Sequence, residues 1–211
     1  MSAQTAVTDR ITRGQVDKFG ERRDALADAA LLTLSELGYA RTSLRDIAQN
    51  SDFSHGVLHY YFEDKVDLIT YCVRRYKTTC VKRYDEVFNS ATTAAELRMT
   101  FANDLATTLV NDAPMHRLWY DVRSQSLFES AFRADVVEID SSLERMIGRI
   151  VERYAELRGT MSAVPSSVAY GTLDGLFVQG LLKHLSGDAG APFALRSAVE
   201  DLLPRLMLAR A

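Results

Sequence analysis

The sequence predicts an all-α fold of about nine helices, and three observations carry that expectation. Apolar residues recur at three- and four-residue spacing along most of the chain. Strand-like alternation is scarce, and the breaks between periodic segments are turn and capping residues. The composition fits: 47% of the 211 residues are hydrophobic and 25% are charged, as in ordinary globular proteins. The net charge of -3 excludes a strongly basic nucleic-acid coat but not a local contact surface. No apolar run approaches the ~20 residues of a membrane span, and the first 20 residues hold no apolar leader core. The expectation is a cytoplasmic protein without membrane contact. Cys72 and Cys80 are the only cysteines. Eight residues apart on one helix, their Cα atoms lie about 12 Å apart, too far for a disulfide; two reduced, packed thiols are expected.

Taken in order, residues 1–18 read as a flexible polar tail and 19–65 as a compact helical domain, with a larger helical domain over 66–211. Leu26, Ala29, Ala30, Leu34 and Leu37 mark one face of the first helix, and Gly38 stops it. Thr42 or Ser43 caps a short second helix, where Ser43-x-x-Asp46 approximates a capping box. Ser54 caps a third helix reaching about Tyr61, and Asp64 opens a longer fourth. The remaining helices are expected near 93–110, 114–127, 130–158, 164–186 and 191–209. Pro204 should kink or end the last one.

The stretch "SDFSHGVLHYYFEDK" at 51–65 is too polar for a core helix and too aromatic for a solvated one. Two short helices joined by a tight turn beneath a first helix form a helix-turn-helix unit. Leu44, Ile47 and Ala48 supply the inner face of one arm, Phe53 the turn, and Val57 or Leu58 with Phe62 the other arm. That spacing alone is weakly specific. The longer string "DALADAALLTLSELGYARTSLRDIAQNSDFSHGVLHYYFEDKVDLI" resembles the N-terminal domain of the TetR (tetracycline-repressor-type) transcriptional regulators. The resemblance rests on Gly38, Tyr39, Thr42, Arg45, Asp46, Ile47, Ala48, Ser54, Gly56, Leu58, Tyr61, Phe62 and Lys65. Asp52 stands where that family usually has a turn glycine, and His59 where it usually has tyrosine.

The resemblance implies a ligand-responsive DNA-binding regulator, most often a repressor that a small molecule releases from its operator. Arg45, His55, Gly56 and His59 would face bases, and Thr42, Ser43, Ser54, Tyr60, Tyr61 and Lys65 phosphates. Phe62 reads as core, while Tyr60 fits core or DNA equally. Residues 1–65 carry eight Lys/Arg against ten Asp/Glu, so the domain lacks a basic footprint, although 53–62 holds no acid.

The resemblance also implies a homodimer through the last two helices. Leu173, Leu176, Phe177, Gly180 and Leu181 on one, with Val199, Leu202, Leu203 and Leu206 on the other, are the expected interface; burial within one subunit is the alternative. "PMHRLWYDVRSQSLFES" is the expected wall of a ligand cavity, through Met115, Trp119, Arg123 and Phe128, with Tyr71 and Phe101 approaching from neighbouring helices. Core packing is the alternative for each, and Asp121 or Glu144 are candidate partners of Arg123. No cofactor and no metal site are expected: His55 and His59 stand four apart, but two ligands do not make a site. No nucleotide-binding, zinc-protease, hydrolase or CxxC motif is present, so an enzyme is not expected. A ligand-dependent activator and a helical adaptor without DNA remain the other readings.

Overall fold

The computed structural model describes residues 3–39 and 41–208, with side chains described from Lys18 onward except at 83 and 86. Nine α-helices and one short 3-10 turn make up the described residues, with a single isolated β-bridge. The chain divides into two compact units, Met1–Val73 and Arg74–Ala211, and the division falls inside the fourth helix.

In the first unit, α1 spans Ala3–Leu37. The stretch read from sequence as a flexible tail is therefore helical from Ala3 onward. Its Ala, Gln, Arg and Val residues hold no proline, and Gly14 costs a helix only about 1 kcal/mol. Gly38 ends α1 with a φ of 77°, a left-handed backbone that glycine adopts without a Cβ clash, and its N–H donates to the Leu34 carbonyl at 2.9 Å. The short helices α2 (Leu44–Gln49) and α3 (His55–Tyr61) follow. Ser43 Oγ accepts from the Asp46 amide while Asp46 Oδ2 accepts from the Ser43 amide at 2.7 Å, closing a capping box. The Ser43 hydroxyl, which donates to Asp46 Oδ2 at 2.6 Å, and then the Ser43 amide, helped by Arg45, hold the Asp46 carboxyl below its ordinary pKa. Ser54 caps α3 by accepting from the Val57 amide at 3.3 Å.

Neither short helix is long enough to be stable alone. Leu26, Ala30 and Leu34 of α1, Leu44 and Ile47 of α2, and Leu58 and Phe62 of the α3 arm supply the shared core. The opening turns of α4 (Lys65–Ser90) close it with Leu68, Ile69 and Cys72. Arg23 of α1 lies over the rings of Phe62 and Tyr71, at 4.7 and 4.4 Å, and donates to Asp67 at 2.7 Å. Tyr71 returns a hydrogen bond to Asp24 at 2.5 Å. Cys72 and Cys80 are both buried and form no disulfide, and the Cys72 thiol donates to the Ala27 carbonyl at 3.4 Å.

The second unit holds α5 (Ala94–Asn111), α6 (Ala113–Gln125), a 3-10 turn at Ser130–Phe132, α7 (Arg133–Arg158), α8 (Ser166–Leu185) and α9 (Ala191–Arg205). α5 lies along α9, and α8 packs against both α7 and α9. Gly180 permits the close approach: a Cβ there would stand 3.0 Å from Leu109 Cδ1. α9 ends one residue after Pro204, and the chain beyond it pairs with the α7–α8 connection, where Ala163 donates to the Leu206 carbonyl at 2.7 Å. No helix among the described residues is long and apolar enough to cross a membrane.

This packing revises the expected dimer residues. Leu173, Phe177, Gly180 and Leu181 of α8, with Val199, Leu203 and Leu206 near the end of the chain, are buried inside the subunit; Leu176 and Leu202 are half-buried. Both helices are apolar on more than one side, so the stripe read from sequence is the one that closes the subunit's own core. The exposed large apolar residues are instead Val168, Leu182 and Leu185 on α8 and Phe193 on α9. Replacing Leu58, which is fully buried, by alanine should lower stability by roughly 2–5 kcal/mol. Urea denaturation of the full chain followed by circular dichroism measures it.

Candidate functional site

The described structure carries two candidate sites, one in each unit. In the first, α3 is buried on the side of Leu58 and presents His55, Gly56, His59 and Tyr60 to solvent. The two imidazoles meet edge to face at 4.5 Å, as their i, i+4 spacing requires. Tyr60 is 72% exposed, which excludes the core reading of that residue. Tyr61 is half-buried, with its ring 4.6 Å from that of Phe19. Arg45 of α2 is exposed, as are the capping residues Ser43 and Ser54. A Cβ at Gly56 would meet no protein atom within 4 Å, so that backbone stands open.

Two residues expected at the phosphates are otherwise engaged. Thr42 is buried, and its hydroxyl donates to the Gly38 carbonyl at 2.7 Å, fastening the turn after α1. Lys65 folds back, its ammonium 3.0 Å from the Tyr39 carbonyl and 3.9 Å from the centre of the Tyr39 ring. Both form local hydrogen bonds that a motif read along the chain does not reveal. Phe62 is buried, as its core reading requires.

In the second unit a cavity of about 560 Å³, counting the open space at its mouth, lies among α4, α5, α6, α7 and α8. Its walls are largely aromatic and aliphatic: Tyr84, Leu105, Trp119, Tyr120, Leu143, Met146, Ile147, Tyr170, Leu173 and Phe177. Lys77, Cys80, His116 and Asp174 add polar groups. The expected stretch does reach it, through His116, Trp119 and Tyr120, but of the residues singled out there and on neighbouring helices only Trp119 is among the lining side chains. Phe128 is 85% exposed, because the chain leaves α6 at Gln125 and turns outward. Phe101 is core, packed edge to face on Tyr84 at 5.5 Å, and Tyr71 belongs to the first unit, bonded to Asp24. Met115 is half-buried and does not line the cavity.

Arg123 also lies off the cavity wall, and its partners are neither Asp121 nor Glu144. Its guanidinium reaches Asp174 at 2.6 Å and Asp140 at 3.1 Å. Tyr120 donates to Asp174 at 2.8 Å and Tyr170 to Asp140 at 2.5 Å. One cation and two phenols thus satisfy two carboxylates from α7 and α8. Burial works against the Arg123 charge, but the bond to Asp174 and the nearby anions outweigh it and hold its pKa above the ordinary value. Burial, then the adjacent carboxylates, pushes the Tyr120 and Tyr170 phenols up.

Lys77 is different. It is buried, and no hydrogen-bond acceptor or ion-pair partner for its ammonium is found among the described residues; it faces the rings of Trp119 at 5.1 Å and Tyr76 at 5.5 Å. Burial brings its pKa down to about 8, opposed by Cys80, Asp174 and Asp140 and reinforced by Arg123. His116 is held by Tyr76, whose hydroxyl lies 3.1 Å from its Nε2.

A short capped helix offering polar groups on one face, seated on a second short helix, is the helix-turn-helix arrangement of DNA-binding transcriptional regulators. Residues 26–72 match the family described as bacterial regulatory proteins, tetR family. The HTH-type transcriptional regulator BetI of Paraburkholderia phymatum is 28% identical over 188 residues, covering 86% of this chain and 92% of that protein. BetI of Burkholderia thailandensis is 27% identical over 197 residues, covering 90% and 95%. Among solved structures, a protein from Saccharomonospora viridis in complex with choline superposes with a TM-score of 0.74 at 18% identity, over 90% of this chain and all of that one. The regulator FadR of Bacillus subtilis in complex with stearoyl-CoA gives 0.69 at 18% identity, over 84% and 95%. Through residues 26–72, and through its similarity to these regulators over most of its length, the chain resembles the TetR family of transcriptional regulators.

The buried Lys77 makes a stability prediction with a definite sign. Its pKa is about 8 in the folded chain against 10.5 for the ordinary side chain, so between those values the unfolded state binds more protons and stability rises with pH. Below about pH 8 the full cost, roughly 3 kcal/mol, is present. Lys77→Met should therefore be more stable than the parent protein, with an advantage that shrinks as pH rises from 8 towards 10.5. Paired denaturant titrations across that range measure the difference and cancel the other titrating groups.

Proposed function

We propose that this regulator is a homodimeric repressor that binds operator DNA through α3 and is released when a small molecule fills the cavity of the second unit. The observation that carries the reading is the double duty of α4. Leu68, Ile69 and Cys72 at its start pack in the core that supports α3, and Lys77 and Cys80, one to two turns on, line the cavity. A molecule binding against Lys77 and Cys80 acts on the helix that the DNA-binding unit is built on. To change operator affinity it must favour one arrangement of the dimer over another, and couplings of this kind are typically ~1–3 kcal/mol.

On α3, His55, Gly56 and His59 face base edges, joined by Arg45 from α2. Ser43, Ser54, Tyr60 and Tyr61 stand beside the phosphates. The first 65 residues carry no positive excess, so affinity rests on these specific contacts more than on general attraction to the polyanion. The dimer surface is placed on the outward sides of α8 and α9, where Val168, Leu182, Leu185 and Phe193 are exposed. The relatives named BetI and the neighbours solved with choline and stearoyl-CoA support a ligand-responsive regulator of this class.

A retardation assay with duplexes from the gene's own upstream region tests the DNA-binding reading. Sequence-selective, salt-sensitive binding is expected, and its absence at every salt concentration would leave a helical adaptor. Arg45→Ala should weaken binding by about 1–3 kcal/mol without moving the thermal midpoint. The dimer is tested separately: Leu182→Glu, which puts a charge on the exposed apolar face, should shift the protein towards monomer in sedimentation velocity. An unchanged dimer would place the interface elsewhere.

A further inference from the structure

The second unit's cavity is unequal in what it offers a ligand, and the inequality points to the ligand's charge. Among the described residues Asp174 is the one carboxylate in the wall, and its oxygens already accept from Tyr120 at 2.8 Å and from Arg123 at 2.6 Å. Freeing it for a ligand breaks a chain of contacts that runs on through Arg123 to Asp140 and Tyr170. Among the same residues Lys77 is the one lysine or arginine in the wall. Its ammonium carries three donors and no acceptor, and ring faces are the groups it meets. A ligand group seated against it must accept hydrogen bonds, and a negative one gains most. The flat sides of Trp119, Tyr84 and Phe177 meanwhile suit an aromatic or aliphatic body.

On the reading that this cavity takes the effector, we propose that the effector is a compact organic acid whose carboxylate docks on Lys77 while its apolar body lies among Trp119, Tyr84 and Phe177. A quaternary ammonium is the opposite case. The aromatic walls would attract it, but it would sit beside Lys77 with no uncommitted carboxylate to answer its charge. The proposal also accounts for a buried lysine that destabilises the empty protein: its cost is recovered when an anion arrives. The low pKa of Lys77 agrees with this, since an ammonium shielded from water and poorly paired is the state an anion relieves.

The chain has a single tryptophan, Trp119, and it stands in the cavity wall, so its fluorescence reports occupancy directly. The full-length protein is titrated with benzoate and hexanoate, with the uncharged benzyl alcohol and hexanol, and with choline. At least one acid should bind about tenfold or more tightly than its matching alcohol. That preference should vanish in Lys77→Met, with Lys77→Gln as a second variant should methionine fill the cavity. Acids that bind no better than the alcohols, a preference that survives both substitutions, or choline binding tightest would overturn the assignment. In those cases a response to alcohol or choline still leaves the cavity as the ligand site. No fluorescence response to any of the five probes removes the cavity reading together with the acid.

Discussion

Everything the first unit presents to solvent depends on one constraint: α3 has seven residues and cannot exist as a helix in isolation. Its exposed face is held in place by what lies behind it. Leu58 and Phe62 reach the core made by α1 and α2, and Phe62 is covered by the Arg23 guanidinium, which is tied in turn to Asp67 at the start of α4. This clamp is partly exposed, so its worth lies less in free energy than in direction. It ties α1 and Phe62 to the first turn of α4, the helix whose later residues Lys77, Cys80 and Tyr84 line the cavity.

The second unit shows how a low-dielectric interior sorts charges. Arg123, Asp140, Asp174, Tyr120 and Tyr170 come from three helices and satisfy one another, which makes the cluster a structural rivet joining α6, α7 and α8. A buried network of this kind holds only if each member is satisfied. Lys77, which shares the cavity wall with Tyr120, Tyr170 and Asp174, is left out of it. A charge buried without an acceptor lowers stability, and such groups concentrate where proteins bind something. The same physics leaves Arg123 satisfied within the protein and Lys77 with ring faces alone as partners among the described residues.

Local chemistry explains which site residues were legible. Ser43, Ser54, His55, Gly56 and His59 lie within two short capped helices, so their relative placement follows from helix geometry once the caps are recognised. Thr42 and Lys65 lie at junctions, where a hydrogen bond to the end of α1 competes with solvent, and no local pattern shows which prevails. In the cavity, Trp119 was found because the chain's single tryptophan, within an otherwise mixed helix, invites notice. Lys77 and Asp174 were not, since a lysine in a charged helix and an aspartate between glycines look like solvated surface. An i+7 aromatic neighbour does mark the register of the first: Lys77 and Tyr84 lie two turns apart on one side of α4.

By itself the sequence determined most of the helices and the caps of the two short ones, because those follow from interactions among residues fewer than about five apart. It also determined where α1 stops, through Gly38; for α9, expected to reach 209, Pro204 left a kink or an end open, and the helix stops at Arg205. Only the tertiary structure decided which side of α8 and α9 faces inward, because a helix apolar on several sides carries no mark of which neighbour it will meet. Only it decided the partners of Arg123, which are 17 and 51 residues away in the chain. And only it left Lys77 without an acceptor, since whether a charge is paired is settled by distances that long-range packing creates.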